Sequence, residues 1–257
     1  MNETAPMPRI DIVKTVDDFE IAAAQAVLAA ITEALHERGK CLIALSGGST
    51  PRSVYRHLGN LLLTQAVDLQ RLFIIFVDER MVPPDDSASN YGMVKRELLS
   101  QVAVPPLHVQ RIRGEATPDA AALEYEQEIE KTLSPFSGRC DVILLGVGED
   151  GHTASLFPGT EVLREHEHKV QAVFVPQLNS WRVTLTLPVI NRSRAVLFLV
   201  TGERKATIVG KILTCTHSNE DIPATMVRPD MGTIRWMLDM NAASQVPSER
   251  KLQGNNS

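Results

Sequence analysis

The sequence is poor in cysteine. Cys41, Cys140 and Cys215 are the only three in 257 residues, widely spaced and with no Cys-x-x-Cys pair. That spacing gives no support to a zinc ribbon or a dithiol redox centre. Cys41 opens an apolar run and Cys140 precedes one, so both read as buried free thiols, and reduced thiols fit a cytoplasmic setting. Excess positive charge is also lacking: the formal net charge is -5, which argues against a general nucleic-acid binder but leaves room for a local cationic pocket. The longest apolar runs, Ile21 to Ile31 and Val142 to Val147, are too short or too interrupted to span a bilayer. Met1 to Arg9 carries Glu3 and two prolines and has no basic start followed by an apolar stretch, so no secretory signal is read there. There is no Gly-x-Ser-x-Gly elbow, no Walker A lysine, no Gly-x-Gly-x-x-Gly, and no His-Glu-x-x-His or other clustered ligand set. A serine-hydrolase triad and a metal centre therefore lack their usual signatures.

What the chain has is alternation. Cys41–Leu45, Leu72–Val77, Val142–Val147 and Ala195–Val200 are compact Val/Ile/Leu/Phe runs without polar interruption. Strands buried on both faces of a parallel sheet read this way. A strand-like run also begins near Ile10. Helical stretches lie between the runs: one capped by Asp17 or Asp18 and stopped by Gly39, one opened by Thr50-Pro51, one from Asn90 through Leu99, one after Thr117-Pro118, one from Glu203 to about Leu213, and one capped by Thr233 and reaching about Ala243. With no linker and no internal repeat, the expectation is a single α/β domain over residues 10–247. It is Rossmann-like and doubly wound, a mostly parallel sheet with helices on both faces. Residues 1–9 form an extension, and the polar segment from Ser248 to Ser257 is expected to fray. In such sheets ligands sit at the carboxyl ends of the strands, so the loops after the apolar runs are the ones to read for chemistry.

The first of these loops is Ser46-Gly47-Gly48-Ser49-Thr50-Pro51. Its glycines permit close backbone approach, and free N–H groups at a helix start converge on one point that suits a phosphate. Ser46, Ser49 and Thr50 add hydroxyl donors. The plainer reading is an ordinary tight turn with a cap. The second is Asp78-Glu79-Arg80, where Arg80 offers a planar fork for a carbonyl, carboxylate or phosphate; taken alone, the tripeptide is as easily a surface ion cluster. The third, Gly146-Val-Gly-Glu-Asp150-Gly-His152-Thr-Ala-Ser-Leu-Phe-Pro158, sets an acid and a histidine among glycines. An imidazole titrates near neutrality and can take a proton from water and return it to a leaving oxygen. Asp150 sits where it can orient that ring or favour its charged form. Arg182 heads an alternating strand-like run. Lys205 stands near a helix start, where a cation is unfavourable unless an anion offsets it. The remaining histidines, the His166-Glu167-His168 stretch included, read as surface or structural groups.

Taken in order, Leu45-Ser-Gly-Gly-Ser-Thr-Pro51, Asp78-Glu-Arg80 with Val82-Pro83 and Ser89-Asn90, Gly148-x-Asp-Gly-His-Thr-Ala-Ser-Leu-Phe-Pro158, Arg182-x-Thr-Leu-Thr and Gly202-x-x-Lys205-Ala resemble the 6-phosphogluconolactonases of the bacterial and animal type. The third motif is highly specific, and five in order are strong where each of the others is weak. The resemblance implies a fold shared with glucosamine-6-phosphate deaminase, hydrolysis of a phosphorylated sugar lactone, and no cofactor. It maps the catalytic histidine onto His152 and the phosphate and substrate contacts onto Gly47, Gly48, Ser49, Thr50, Arg80, Arg182 and Lys205. Deaminases typically continue from their histidine into Ala-Phe-Asn-Glu-Pro and have a tyrosine after Asp-Glu. This chain has Thr153-Ala-Ser-Leu-Phe-Pro158 and Arg80 instead, which favours the lactonase. A departure is Asp85-Asp86, where lactonases often have a histidine. The partner expected is the small-molecule sugar-phosphate lactone, with no nucleic acid and no membrane, in a monomer or small homo-oligomer. The alternatives are a deaminase/isomerase-like enzyme and a non-catalytic sugar-phosphate sensor.

Overall fold

The computed structural model describes residues 8–252. In chain order the elements are β1 (Arg9–Val13), α1 (Val16–Arg38), β2 (Cys41–Leu45), α2 (Ser49–Thr64), β3 (Leu72–Phe76), β4 (Asp78–Arg80), α3 (Asn90–Val94), β5 (Val109–Gln110), α4 (Pro118–Leu133), β6 (Val142–Leu145), β7 (Val170–Val175), β8 (Ser180–Leu185), α5 (Leu187–Asn191), β9 (Ala195–Val200), α6 (Ala206–Thr214), β10 (Thr233–Asp239) and α7 (Ser248–Leu252). Seven strands form one parallel sheet in the order β1-β10-β9-β6-β2-β3-β5. Its central strands are the unbroken apolar runs. Every residue of β2 and β6 is buried, because helices cover both faces.

Beside it lies a second, antiparallel sheet of three strands, β4-β8-β7, which the strand-and-helix alternation did not anticipate. β4 begins two residues after β3 ends, so the chain leaves one sheet and enters the other through Val77. The join is held by Val77 N–H donating to Leu45 O (3.0 Å) and Leu185 N–H donating to Val77 O (2.7 Å).

The order of the large sheet reverses between β2 and β6. From β2 the chain winds outward through β3 and β5; from β6 it winds the other way through β9 and β10. A crevice opens at the carboxyl ends of the strands at such a reversal. The loops leaving β2 and β6 are the Ser46–Thr50 and Gly146–His152 segments.

Several local expectations need correction. Thr233 does not cap a helix: Thr233–Asp239 is β10, and its Thr-Ile-Arg-Trp-Met-Leu run pairs with β9 and β1, side chains of the type that fit a pleated surface. The cap of α1 is Thr15, whose Oγ1 accepts from Asp18 N (3.1 Å); Asp17 and Asp18 fall in the first turn, where carboxylates favour the helix dipole. Gly39 ends that helix at φ 74°, as read. Thr50 is not a cap either, since α2 starts at Ser49 after Gly48 at φ 117°. Ser248–Leu252 is a short helix, while the rest of the tail lies outside the described residues. By length and composition α1 is apolar enough to cross a membrane, yet it packs Phe19, Ala23, Val27 and Ile31 against the sheet at no measurable exposure.

Candidate active site

The crevice at the reversal is a cleft of about 210 Å³, walled by the Ser46–Pro51 turn, Arg80, Gly146–Gly148, His152 and Lys205, with Asp78, Asn90 and Thr201 also in its lining. Nine of the ten residues read from the sequence as site candidates gather in or directly beside it. The tenth, Arg182, is absent from its lining. It stands directly opposite Arg80 in the β4/β8 register, half-buried, with Nη1 donating to Ser180 Oγ (3.0 Å).

The Ser46–Thr50 turn delivers α2 with its first N–H groups toward the cleft. Gly48 occupies the cap position without a side-chain acceptor, so the helix start is not satisfied by its own cap residue. The Thr50 hydroxyl, freed from capping, lies 2.8 Å from that of Thr201 on the loop after β9. Two hydroxyls sharing one hydrogen bond leave one proton to donate elsewhere. Gly47 is glycine for reasons of space: a Cβ there would meet Asn90 Oδ1 at 1.7 Å.

Lys205 follows Gly202, whose N–H is held by the buried Asp239 carboxylate (3.0 Å). The lysine makes none of the ion pairs found among the described residues. Burial lowers its pKa below the ordinary value, only partly countered by Glu149 and Asp150. This half-buried cation lines the same cleft as the Ser46–Thr50 turn.

His152 rests on a loop that closes on itself. Gly148 N–H donates to His152 O (2.8 Å), Gly151 N–H donates to Gly148 O (3.0 Å), and the Thr153 hydroxyl donates to Gly146 O (2.8 Å). Nδ1 lies 2.6 Å from Asp150 Oδ1, which also accepts the His152 N–H at 3.1 Å. The ring stacks on Phe157 with centroids 4.0 Å apart. Burial works against the charge on Asp150, but its hydrogen bonds and attraction to His152 outweigh that, and its pKa falls below the ordinary carboxylate value. The side chain of His152 is 30% exposed, open to water and substrate. With Nδ1 engaged, Nε2 is the nitrogen left to exchange a proton.

Arg80 is carried by a frame built around buried Glu79. One Glu79 oxygen accepts from Arg80 N (2.9 Å) and Asn90 N (2.7 Å), the other from Tyr91 N (2.8 Å) and Ser89 Oγ (3.0 Å). Burial pushes the Glu79 pKa up despite these bonds. The Arg80 guanidinium donates to Ala88 O, presented by a turn that Asp86 closes through its bond from Ala88 N (2.7 Å). Asp86, where the related pattern often has histidine, thus shapes the arginine's seat. Arg182 has its pKa lowered by burial first and by the charge of Arg80 second.

The sequence reading missed the members that join these pieces. Asp78 is buried in the cleft wall and accepts from Ser155 Oγ (2.7 Å) and Asn90 Nδ2 (3.2 Å), tying the histidine loop to the strand of Arg80. Thr201 precedes the quoted Gly202 motif by one residue. Phe157 lay inside the motif with no pattern to mark its ring as the support of His152.

An anion cradle facing a histidine–aspartate pair across a narrow cleft defines a class: α/β enzymes that anchor a phosphorylated small molecule at one end and move protons at the other. Comparison with known proteins narrows it. The family model of glucosamine-6-phosphate isomerases/6-phosphogluconolactonase matches residues 14–236. The 6-phosphogluconolactonase of Homo sapiens is 36% identical over 89% of this chain and 94% of its own length; that of Synechocystis is 34% identical over 93% and 98%. The structure of 6-phosphogluconolactonase from Trypanosoma brucei superposes with a TM-score of 0.81 at 29% identity, over 95% of this chain and all of that one. This chain belongs to the glucosamine-6-phosphate isomerase/6-phosphogluconolactonase family.

Proposed function

We propose that this protein is a 6-phosphogluconolactonase, a carboxylic ester hydrolase that opens 6-phospho-D-glucono-1,5-lactone to 6-phospho-D-gluconate in the oxidative pentose phosphate pathway. The observation that carries the reading is the convergence of His152, its Asp150 partner, Arg80, Lys205 and the Ser46–Thr50 turn on one cleft. Arg80 follows Asp-Glu, and the Thr153-Ala-Ser-Leu-Phe-Pro158 run directly after His152 holds no glutamate, which separates the chain from the deaminase pattern.

In this reading the phosphate docks on the Ser46–Thr50 turn and Lys205, with the spare proton of the Thr50–Thr201 pair. Its negative charge restores what burial costs the lysine. The far end of the sugar then brings the ester carbonyl beside His152. Nε2 takes a proton from a water as the water oxygen attacks C1, and the carbonyl pair moves onto its oxygen. The guanidinium of Arg80, backed by Arg182, stabilises that oxyanion. Collapse breaks the bond from C1 to the ring oxygen, and the imidazolium returns its proton to that oxygen as the hydroxyl forms. Asp150 holds the tautomer and favours the imidazolium between the two transfers. Each proton taken is given back, so the histidine ends as it began. The buried thiols Cys41 and Cys140 suit a reducing compartment, and we place the enzyme in the cytoplasm.

The test is a pH-stat assay on freshly made lactone, with the enzyme-free rate subtracted. His152→Ala is expected to lower kcat by roughly 10²–10⁴-fold, the usual worth of general acid–base action, while 6-phosphogluconate still binds. Absence of lactonase activity in the unaltered protein, or full activity without the imidazole, overturns the proposal. Release of ammonia from glucosamine 6-phosphate would assign the deaminase instead.

A further inference from the structure

A second cavity, of about 410 Å³, lies beneath α6 and shares no lining residue with the catalytic cleft. Trp236 lines its inner side, 3% exposed and stacked on the fully buried Phe198, which lies directly opposite in the β9/β10 register with ring centroids 4.0 Å apart and planes at 9°. Ile212 and Leu213 of α6 and Val227 complete the apolar body.

The rim is of the opposite character. Arg228 lies at the mouth, exposed, and bonds to main-chain carbonyls: Nε donates to Thr225 O (3.0 Å) and Nη1 to Thr216 O (3.4 Å). It joins none of the salt bridges among the described residues. Carbonyl oxygens orient a guanidinium without neutralising it, so the fork keeps its full charge. Arg250 also lines the cavity. The cavity therefore combines an aromatic and branched-aliphatic interior with a cationic lip, and its volume is in the range of small-molecule sites, roughly 300–1,000 Å³.

We propose that this cavity is a binding site for a small organic monocarboxylate with a flat apolar body: the body enters against Trp236 and Ile212, and the carboxylate pairs with Arg228 at the mouth. A neutral molecule of the same shape lacks the pairing. A phosphorylated sugar lacks the apolar body. The site adjoins the catalytic loop, because Ala224 in its wall donates its N–H to Gly151 O (2.9 Å), one residue before His152. The proposal does not depend on the reaction assigned above.

The experiment uses the full chain carrying Trp181→Phe, which leaves Trp236 as its single tryptophan. Tryptophan emission is titrated with 3-phenylpropanoate and with 3-phenylpropanamide, each with and without saturating inorganic phosphate. The acid is expected to give a saturable change and to bind about two- to fivefold tighter than the amide, the worth of an ion pair to an exposed guanidinium. Phosphate is expected not to displace it. In Arg228→Gln the preference for acid over amide is expected to vanish, and Ile212→Trp, which fills the cavity, is expected to abolish binding as read by calorimetry. Equal binding of acid and amide by the unaltered rim, displacement of the acid by phosphate, or no saturable change in the full chain overturns the proposal. Those outcomes need no variant of the rim to fold.

Discussion

Replacing Gly148 by alanine tests how tightly the loop specifies the imidazole. A Cβ at that position would stand 2.1 Å from His152 Nδ1, 2.3 Å from its Cε1 and 2.4 Å from Asp150 Oδ1. Ordinary van der Waals contact begins near 3.4 Å, so the ring or the loop must retreat by about 1.3 Å. The ring has little room to retreat, with Phe157 stacked on one side and Asp150 on its edge. Either the imidazole tilts out of line with the lactone carbonyl or the bond to Asp150 breaks. A misplacement of about 1 Å at a reacting group costs about 10²-fold, so Gly148→Ala is expected to lower kcat by roughly that factor. Overpacking in a cleft loop costs about 1–3 kcal/mol, which leaves the fold standing. The measurements are lactone hydrolysis by pH-stat with spontaneous hydrolysis subtracted, the thermal midpoint, and inhibition by inorganic phosphate, which reads the proposed anion cradle on the other side of the cleft. The expected pattern is a large fall in kcat with phosphate inhibition nearly unchanged. Full turnover in a folded Gly148→Ala protein would refute the reasoning, since it would mean that the position of His152 does not matter.

Three further outcomes follow from the same geometry. Asp150→Asn keeps the shape but removes the charge that supports the imidazolium; kcat is expected to fall about 10–100-fold, the worth of a charge-assisted hydrogen bond, with KM little changed, and an equal loss in both would assign Asp150 to substrate binding. Lys205 has a folded pKa below the 10.5 of a free lysine, and an anion prefers its protonated form. On the alkaline side, where phosphate is already dianionic, its affinity is therefore expected to fall as pH rises through that lowered value, an onset that inhibition by phosphate against pH would show and that Lys205→Gln would erase. Glu79→Gln turns an NH2 toward at least one of the backbone N–H groups now bonded to Glu79, whichever way the amide lies. The loss is expected at about 1–3 kcal/mol, read as a lower thermal midpoint, and an unchanged midpoint would count against the frame described for Arg80.

The parallel sheet was legible because strands buried on both faces must be apolar throughout, and β2, β3, β6 and β9 are. β10 was not, because Thr233 before a run with polar Arg235 imitates a capped helix, and only pairing with β9 and β1 decides the matter. The small sheet was hidden for a different reason: β4 is three residues long and highly charged, and its strand character comes entirely from β8, a hundred residues away in sequence. Among the site residues, those on glycine-rich loops announced themselves through backbone chemistry. Asp78 and Phe157 act by touching something distant or by stacking, and no local spacing encodes either. Arg182 was assigned to the substrate by the family resemblance; that it faces Arg80 across β4 and β8 is a matter of register.

That register carries a thermodynamic consequence. Two guanidinium groups directly opposite on neighbouring strands repel each other, and the second is partly shielded from water. The empty enzyme bears this cost in its folded state alone, since the unfolded chain lets the two charges drift apart. Asp78 and Glu79 offset part of that cost. In the mechanism proposed above, the oxyanion over Arg80 would offset more of it, so some of the stabilisation would come from tension released within the protein rather than from new contact made.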